Sequence, residues 1–416
     1  MAGARSRRRL GALGAAVLAM WLVAAGSAPA WVGGREVRVN ETVEREQRFP
    51  DIVATRHGGF AVVWESGRQD GHRLGVYARR FSRTGRPLSG ELQVNTTIAG
   101  DQSDPSVAPN GRGGFVVAWS SGGLGSRHTV YARRFAPNGI PRGGEIPVST
   151  GGLGLGEGGE MDPAVTAVKG GGFTVAWEVG ELDSAEVFAR RFDAFGEPFG
   201  GEVPVTSTAT GGSERTPALA QGPGRGFTAV WERVSPNEAS NIFARRFDAD
   251  GRAAGPEIRA ALSTRYDQSY PDVAPASGGG SVITWQSYAQ DGSGSGIYVR
   301  RFDSSGNPRS GELSVNTTTS GQQVRPAIAA TRGGFVVAWQ SNGQDGDRAG
   351  IYARRLNRSG RPLGREFRVN AIARLSQFAP AITASGRGFV AAWTHGRSGP
   401  YSFSLADVRA RRFLPR

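Results

Sequence analysis

From residue 31 onward apolar and polar positions alternate with a period of two, and nowhere with the 3.6-residue period of a helix. The stretch from Pro326 to Asn370 shows the pattern most cleanly: "PAIAA", "TRGG", "FVVAWQS", "NGQDGDRAG", "IYARRL", "NRSGRPLG", "REFRVN". This predicts four short strands, A to D, joined as a meander by turns rich in Gly and Asn.

The unit repeats. Seven tryptophans, Trp64, Trp119, Trp177, Trp231, Trp285, Trp339 and Trp393, are spaced by 55, 58, 54, 54, 54 and 54 residues. Each follows a proline (Pro50, Pro105, Pro163, Pro217, Pro271, Pro326, Pro380) and precedes an arginine pair that starts at Arg79, Arg133, Arg190, Arg245, Arg300, Arg354 or Arg411. Seven four-stranded antiparallel units are the signature of an all-β fold, the seven-bladed β-propeller. Blades are expected to start near residues 50, 105, 163, 217, 271, 326 and 380.

A linear solenoid would need an atypical cap at each end. Here the seventh unit stops after strand C at "VRARRFLPR", while an orphan strand D, "REVRVN", precedes the first unit. The segment 31–43 is therefore expected to complete the last blade and close the ring, which removes two exposed sheet edges. A glutamate opens strand D of each unit: Glu91, Glu145, Glu202, Glu257, Glu312, Glu366, and Glu36 in the orphan strand. Strands C and D pair, so these carboxylates are expected beside the arginine pairs, including Arg411 and Arg412. Those guanidiniums could also stack on the tryptophans. This makes the arginines structural glue. The "Q/E-x-x-P" approach to every blade, at Gln47, Gln102, Glu160, Glu214, Gln268, Gln323 and Gln377, implies a backbone-bonding role.

The likeness to a known family rests on Gly334 to Ser341, Gly350 to Leu356 and Glu366 to Asn370. There the chain resembles a bacterial exported β-propeller repeat family with "GGFVVAWQS…QDG…GIYARRF…GEFxVN" units, also found in large RTX-type secreted proteins. The resemblance implies a repeat fold and export. It implies no particular activity, since that family is mostly of unassigned function.

Composition adjusts this picture. Residues 1–30 read as a signal peptide, with Arg5, Arg7, Arg8 and Arg9, an apolar run from Leu10 to Ala25, and "APA" at Ala28 to Ala30. The expectation is a periplasmic or extracellular protein with no membrane span after cleavage, and a monomer. With no cysteine, disulfides and thiolate metal sites are excluded. The net charge of +14 includes four arginines of the leader, and Lys169 is the one lysine. With the arginines assigned to packing and no tract of basic and aromatic residues, nucleic acid is not an expected partner.

Ligands are expected on the face formed by the B–C and D–A loops. Tyr266, Tyr270 and Tyr288 cluster there in the fifth unit and could stack on a sugar or a partner surface, although Tyr270 could equally plug a blade boundary. Calcium is the one cofactor considered, at Asp70, Asp291, Asp345 and Asp347 of the "QDG" loops, without EF-hand spacing. Acidic residues break the repeat in units three and four, at Glu178, Glu181, Asp183, Glu186, Glu232 and Glu238. A polysaccharide hydrolase would need two carboxylates about 5–10 Å apart on one pocket. Glu178 and Glu232 each follow a blade tryptophan, but so does Glu65. Strand A offers mostly small apolar residues to the axis. Gly154, Gly156 and Gly159 match GxGxxG outside any strand-to-helix turn. The four histidines are scattered, and there is no GxSxG elbow. The leading expectation is a non-catalytic propeller that binds a glycan, an envelope polymer or a protein. The alternative is a polysaccharide-active hydrolase or lyase using acids of units three and four.

Overall fold

The computed structural model describes residues 31–122, 128–150, 159–181, 183–207, 212–397 and 406–416. The expected leader, Gly154 and Gly156 lie outside them. Seven four-stranded antiparallel sheets form a seven-bladed β-propeller. Blade one consists of strand A (Gln47–Ala54), B (Phe60–Gly67), C (Leu74–Phe81) and a two-residue D (Leu92–Gln93). Blade seven consists of A (Ser376–Ser385), B (Gly388–Gly396) and C (Asp407–Pro415), completed by Trp31–Arg38, which pairs antiparallel with strand C through Glu36↔Arg411 and Val37↔Ala410. The orphan strand closes the ring as its sequence implies. Among the described residues the helical content is one 3-10 turn at Arg56–Gly58, and no helix is long and apolar enough to cross a membrane.

The core lies between blades. All seven blade tryptophans are fully buried. Trp119 packs against Ala61, Val63 and Ala78 of blade one. Trp64 does the same against Val390, Ala392 and Ala410 of blade seven, so the closing interface matches the others. Losing such a side chain costs about 3–5 kcal/mol. Phenylalanines from strands B and C stack face to face beside them, as Phe60 on Phe81 at 5.0 Å and Phe227 on Phe247 at 4.6 Å.

A belt of charged side chains ties each blade to the one before it. The first arginine of each pair donates to a strand-D carbonyl of the preceding blade. Examples are Arg79 to Val39 at 2.8 Å, Arg300 to Ala260 at 3.0 Å and Arg411 to Val369 at 2.9 Å. In every blade but the sixth, where Leu356 stands instead, its guanidinium lies over the phenylalanine two residues on, as over Phe81 at 5.6 Å and Phe413 at 5.3 Å, rather than over the blade tryptophan. The strand-D glutamates also reach the preceding blade, with a difference from expectation. Glu366 accepts the Thr317 N–H at 2.7 Å, Glu312 accepts that of Leu262 at 2.7 Å, and Glu36 accepts that of Ala371 at 2.7 Å. Most D strands pair over only two residues, so the glutamate precedes the ladder and is free to bend across the blade gap. Glu312 and Glu366 still lie within electrostatic reach of Arg300 and Arg354, but their hydrogen bonds go elsewhere.

The glutamine or glutamate near the start of each strand A has a second role beside the backbone bonding expected of it. Gln47, Gln102 and Gln268 use their side-chain oxygens to accept the indole N–H of their own blade's tryptophan, at 2.6, 3.0 and 2.7 Å. The side-chain N–H of Gln102 and Gln377 goes to backbone carbonyls, at Ala99 and Arg374.

Candidate functional site: the axial collar

Every strand A is broken at the same place. The A–B register shifts around each blade proline, for instance between Arg48 and Asp51 and between Ser269 and Asp272. Proline has no N–H for the ladder, so the chain bulges. The residue before each proline takes a left-handed backbone, with φ between +48° and +53°: Phe49, Asp104, Asp162, Thr216, Tyr270, Arg325 and Ala379. Such a conformation costs an L-residue about 1–2 kcal/mol. It recurs in all seven blades, and it places seven side chains around the axis on the B–C and D–A face.

The preceding blade holds the bulge in place. The residue after its tryptophan accepts the diverted N–H: Glu65 from Asp104 at 2.9 Å, Gln286 from Arg325 at 2.8 Å, Thr394 from Phe49 at 3.0 Å, and Glu178 from Thr216. Glu232 likewise accepts from Tyr270. Below the collar, Asp51 and Asp272 cross the next gap to the N–H of Val107 and Ile328, both at 2.7 Å.

The collar and its prolines surround a cavity of about 590 Å³. A second axial cavity, of about 410 Å³, is lined by residues farther along the A strands such as Ile52, Val107, Ala220 and Ile328. The small apolar strand-A residues expected at the axis are thus found in this second cavity, while the mouth is polar and asymmetric. On one side stand Asp104 and Asp162, with Glu65 and Glu178 behind them. Facing them is Arg325, whose guanidinium lies 4.8 Å from the Tyr270 ring and 6.0 Å from that of Phe49. Arg48 supports the acidic side through Glu65 at 2.7 Å.

The carboxyl groups here hold protons more tightly than usual. Burial pushes Glu65 up to about 7, with the Asp104 charge adding to it. Burial likewise raises Glu178 and Glu232 to about 7. Asp162 touches the water of the mouth but is hemmed in by its walls. Confinement, then the neighbouring Asp104 and Glu178 carboxylates, drive it well above the ordinary range. Glu178 and Asp162 share a hydrogen bond and hence a proton, and Arg325 draws Asp162 the other way. The mouth therefore offers a carboxyl pair of raised proton affinity, a guanidinium and two aromatic rings within one opening.

The structure separates the residues expected at a site. Tyr270 is in the collar. Tyr288 is exposed at the outer end of strand B (Ser281–Tyr288), where its N–H donates to the Asp267 carbonyl at 2.9 Å, one residue from Tyr266. Those two share a separate patch. Glu178 and Glu232 interact electrostatically, as expected of neighbours, but sit behind the collar as acceptors for its backbone. Glu181, Asp183 and Glu238 are exposed. The "QDG" aspartates are engaged by protein donors: Asp70 and Asp345 accept from Asn95 and Asn370 at 3.3 and 3.1 Å, Asp291 from the Ser293 N–H at 3.2 Å, and Asp347 from the Leu375 N–H at 3.0 Å. Among the described residues no three His, Cys, Asp or Glu side chains are grouped to hold a metal. Asp104, Asp162 and Arg325 were not expected from sequence.

No family model matches the chain, and no curated protein does. Its likeness is to solved structures. A protein of unknown function from Dyadobacter fermentans superposes with a TM-score of 0.58 at 10% identity, over 93% of this chain and 100% of that one. A family PL25 ulvan lyase gives 0.57 at 9%, over 90% and 95%. The α-L-arabinofuranosidase Arb93A from Fusarium graminearum gives 0.54 at 10%, over 92% and 98%. At these identities the likeness is one of fold.

Proposed function

We propose that the protein is an exported propeller that binds a glycan chain in the axial mouth, with the collar as its reading surface. The observation that carries this is the set of side chains at one bulge position: Phe49 and Tyr270 contribute aromatic rings, while Asp104, Asp162, Thr216 and Arg325 contribute donors and acceptors around the same cavity. Stacking rings combined with converging polar groups suits a polyhydroxylated ligand. Calorimetric titration against glycans selected on an array is the test. Tyr270→Ala should weaken binding at least about tenfold, the worth of roughly 1.4 kcal/mol of ring contact. Tyr288→Ala, on the outer patch, should leave it unchanged, and the reverse ranking would move the site to that patch.

The Asp162–Glu178 pair favours one second reading. A carboxyl pair that burial and mutual repulsion push toward the protonated form can serve as a general acid on a glycosidic oxygen. Under that reading the protein cleaves the glycan. Asp162→Asn should then abolish turnover on a polysaccharide panel while binding persists. No turnover by the unaltered protein would leave binding alone.

A further inference from the structure

The opposite face, formed by the A–B and C–D turns, is divided by charge. All of these turns lie among the described residues. Blades three to five mix signs there: Lys169, Arg225, Arg252 and Arg309 alternate with Asp193, Glu197, Asp248, Asp250 and Asp303. In blades six, seven, one and two the carboxylates of the C–D connections are Glu91 and Glu145, which bond the N–H groups of Glu41 and Thr96 in the preceding blade; the rest of their A–B and C–D turns carries none. Blade one contributes Arg56, Arg83 and Arg86, and blade two Arg112 and Arg142. Blade six adds Arg332, Arg358 and Arg361, and blade seven adds Arg387. All nine are exposed, and none is in an ion pair among the described residues.

Two cavities open on this arc and share His57 and Arg83. The larger, about 710 Å³, lies at the seam of blades seven and one, among Arg35, Arg387, Arg411 and Arg412. Its neighbour, about 530 Å³, adds Arg56 and Arg80. Neither is lined by a carboxylate. Arg411 and Arg412 are oriented by carbonyls, those of Val369 at 2.9 Å and Arg83; Arg411 also lies within electrostatic reach of Glu36, and neither forms an ion pair among the described residues.

Exposed apolar side chains stand on the same arc. Val32 and Leu414, cross-strand partners at the seam, are 46% and 44% exposed; Leu88 and Ile140, at the C–D turns of blades one and two, are 51% and 60% exposed. Phe195 and Phe199, on the C–D turn of blade three, are 63% and 51% exposed and continue the apolar fringe past the edge of the basic arc, with the guanidiniums of Arg112 and Arg191 over their rings at 5.2 and 4.9 Å; the turns of blades four, five and six carry no exposed large apolar side chain. A polymer of anions would need the arginines only. Arginines interspersed with protruding aliphatic side chains match an anionic headgroup layer over acyl chains.

We propose that blades six, seven, one and two form a docking face for an anionic lipid bilayer, with the arginines on the headgroup phosphates and Val32, Leu88, Ile140 and Leu414 entering the interfacial layer. This face lies opposite the axial mouth and is independent of the glycan reading.

Co-sedimentation with vesicles tests it. Vesicles of phosphatidylglycerol and phosphatidylcholine should retain the protein at low salt, and pure phosphatidylcholine should not. Screening by salt should release it. Because each basic residue near such a surface is worth about fivefold in partition, Arg83→Glu with Arg387→Glu should lower partition at least about thirtyfold. Leu88→Ser with Ile140→Ser should lower it about tenfold at unchanged charge. Arg252→Glu with Arg309→Glu, on the mixed half, should have little effect. Circular dichroism of each variant separates these effects from misfolding. Retention by dextran sulfate or duplex DNA but not by vesicles would overturn the proposal in favour of a polyanion site. So would vesicle binding indifferent to the apolar substitutions, or no retention by any of these probes.

Discussion

The belt and the collar are both built seven times, and they differ in what they repeat. In the belt the chemistry itself recurs: an arginine to a carbonyl of the preceding blade, and a glutamate to the N–H groups of that blade's turn. In the collar only the backbone recurs. Seven residues at φ near +50° carry Phe, Asp, Asp, Thr, Tyr, Arg and Ala. A ring closes only if all seven interfaces turn the chain by the same angle, so groups that set that angle cannot vary. A side chain pointing into an open cavity carries no such load and is free to differ. The difference marks where this scaffold can hold a function without losing its geometry.

The largest effect should come from breaking the belt. Glu366 accepts the N–H of Thr317 at 2.7 Å and of Thr318 at 3.2 Å, the Thr318 hydroxyl at 2.5 Å and the Gln344 amide at 2.7 Å. Glu366→Ala leaves two backbone N–H groups unpartnered and takes an acceptor from the Thr318 hydroxyl and the Gln344 amide, which still bond each other at 2.8 Å, and should cost about 2–4 kcal/mol in denaturant unfolding. Tyr270→Ala in the collar should cost less than about 1 kcal/mol while weakening ligand binding. Equal costs would mean that the collar carries structural load after all.

The same contrast explains what was legible in the sequence. Period-two patterning, tryptophan spacing and the orphan strand D were enough for the propeller, its blade number and its closure. Each reports a feature that must be identical in every blade. The partners of the belt glutamates were not legible: in five blades the glutamate falls just before a two-residue ladder, and Glu36 and Glu366, inside longer D strands, still send their carboxylates across the blade gap. The collar was missed for a related reason. Strict alternation along strand A does not foresee a bulge, and the bulge turns the pre-proline residue toward the axis. The signal was present as a column of unlike residues beside an unvarying proline. Asp104, Asp162 and Arg325 could have been found by asking which position next to a fixed one varies most.

Acidity should separate the two regions at intermediate size. In the belt, burial works against ionisation of Glu366 and Glu145, but backbone and hydroxyl donors outweigh it and hold both below the usual range. Their contribution is present above about pH 4.5 and fades as pH falls through the lowered folded value. Glu65, Glu178 and Glu232 behave in the opposite sense, being raised from 4.5 to about 7. Folded protein then binds more protons than unfolded protein between those limits, so their contribution is full below about pH 4.5 and declines as pH rises to 7. The slope is at most about 1.4 kcal/mol per pH unit for each group. Melting temperature should therefore peak near pH 5 and fall toward pH 8. Glu178→Gln should flatten the alkaline side, and Glu366→Gln the acid side. A profile rising from pH 5 to pH 8 would refute the collar assignment.

The smallest effect tests the collar's backbone directly. Ala379 takes φ of +50° with only a methyl group to offer the cavity. Ala379→Gly removes the left-handed penalty of about 1–2 kcal/mol. It also gives the unfolded chain more freedom, which costs about 0.4–1 kcal/mol. The difference predicts a gain of up to about 1 kcal/mol, visible as a small rise in the denaturant midpoint with an unchanged slope. Ala329→Gly in the neighbouring blade six, within strand A (Gln323–Thr331) and outside the left-handed set, has no such strain to relieve and should lose stability. If both glycines destabilise alike, the collar backbone is unstrained, and its recurrence in seven blades would follow from the prolines alone.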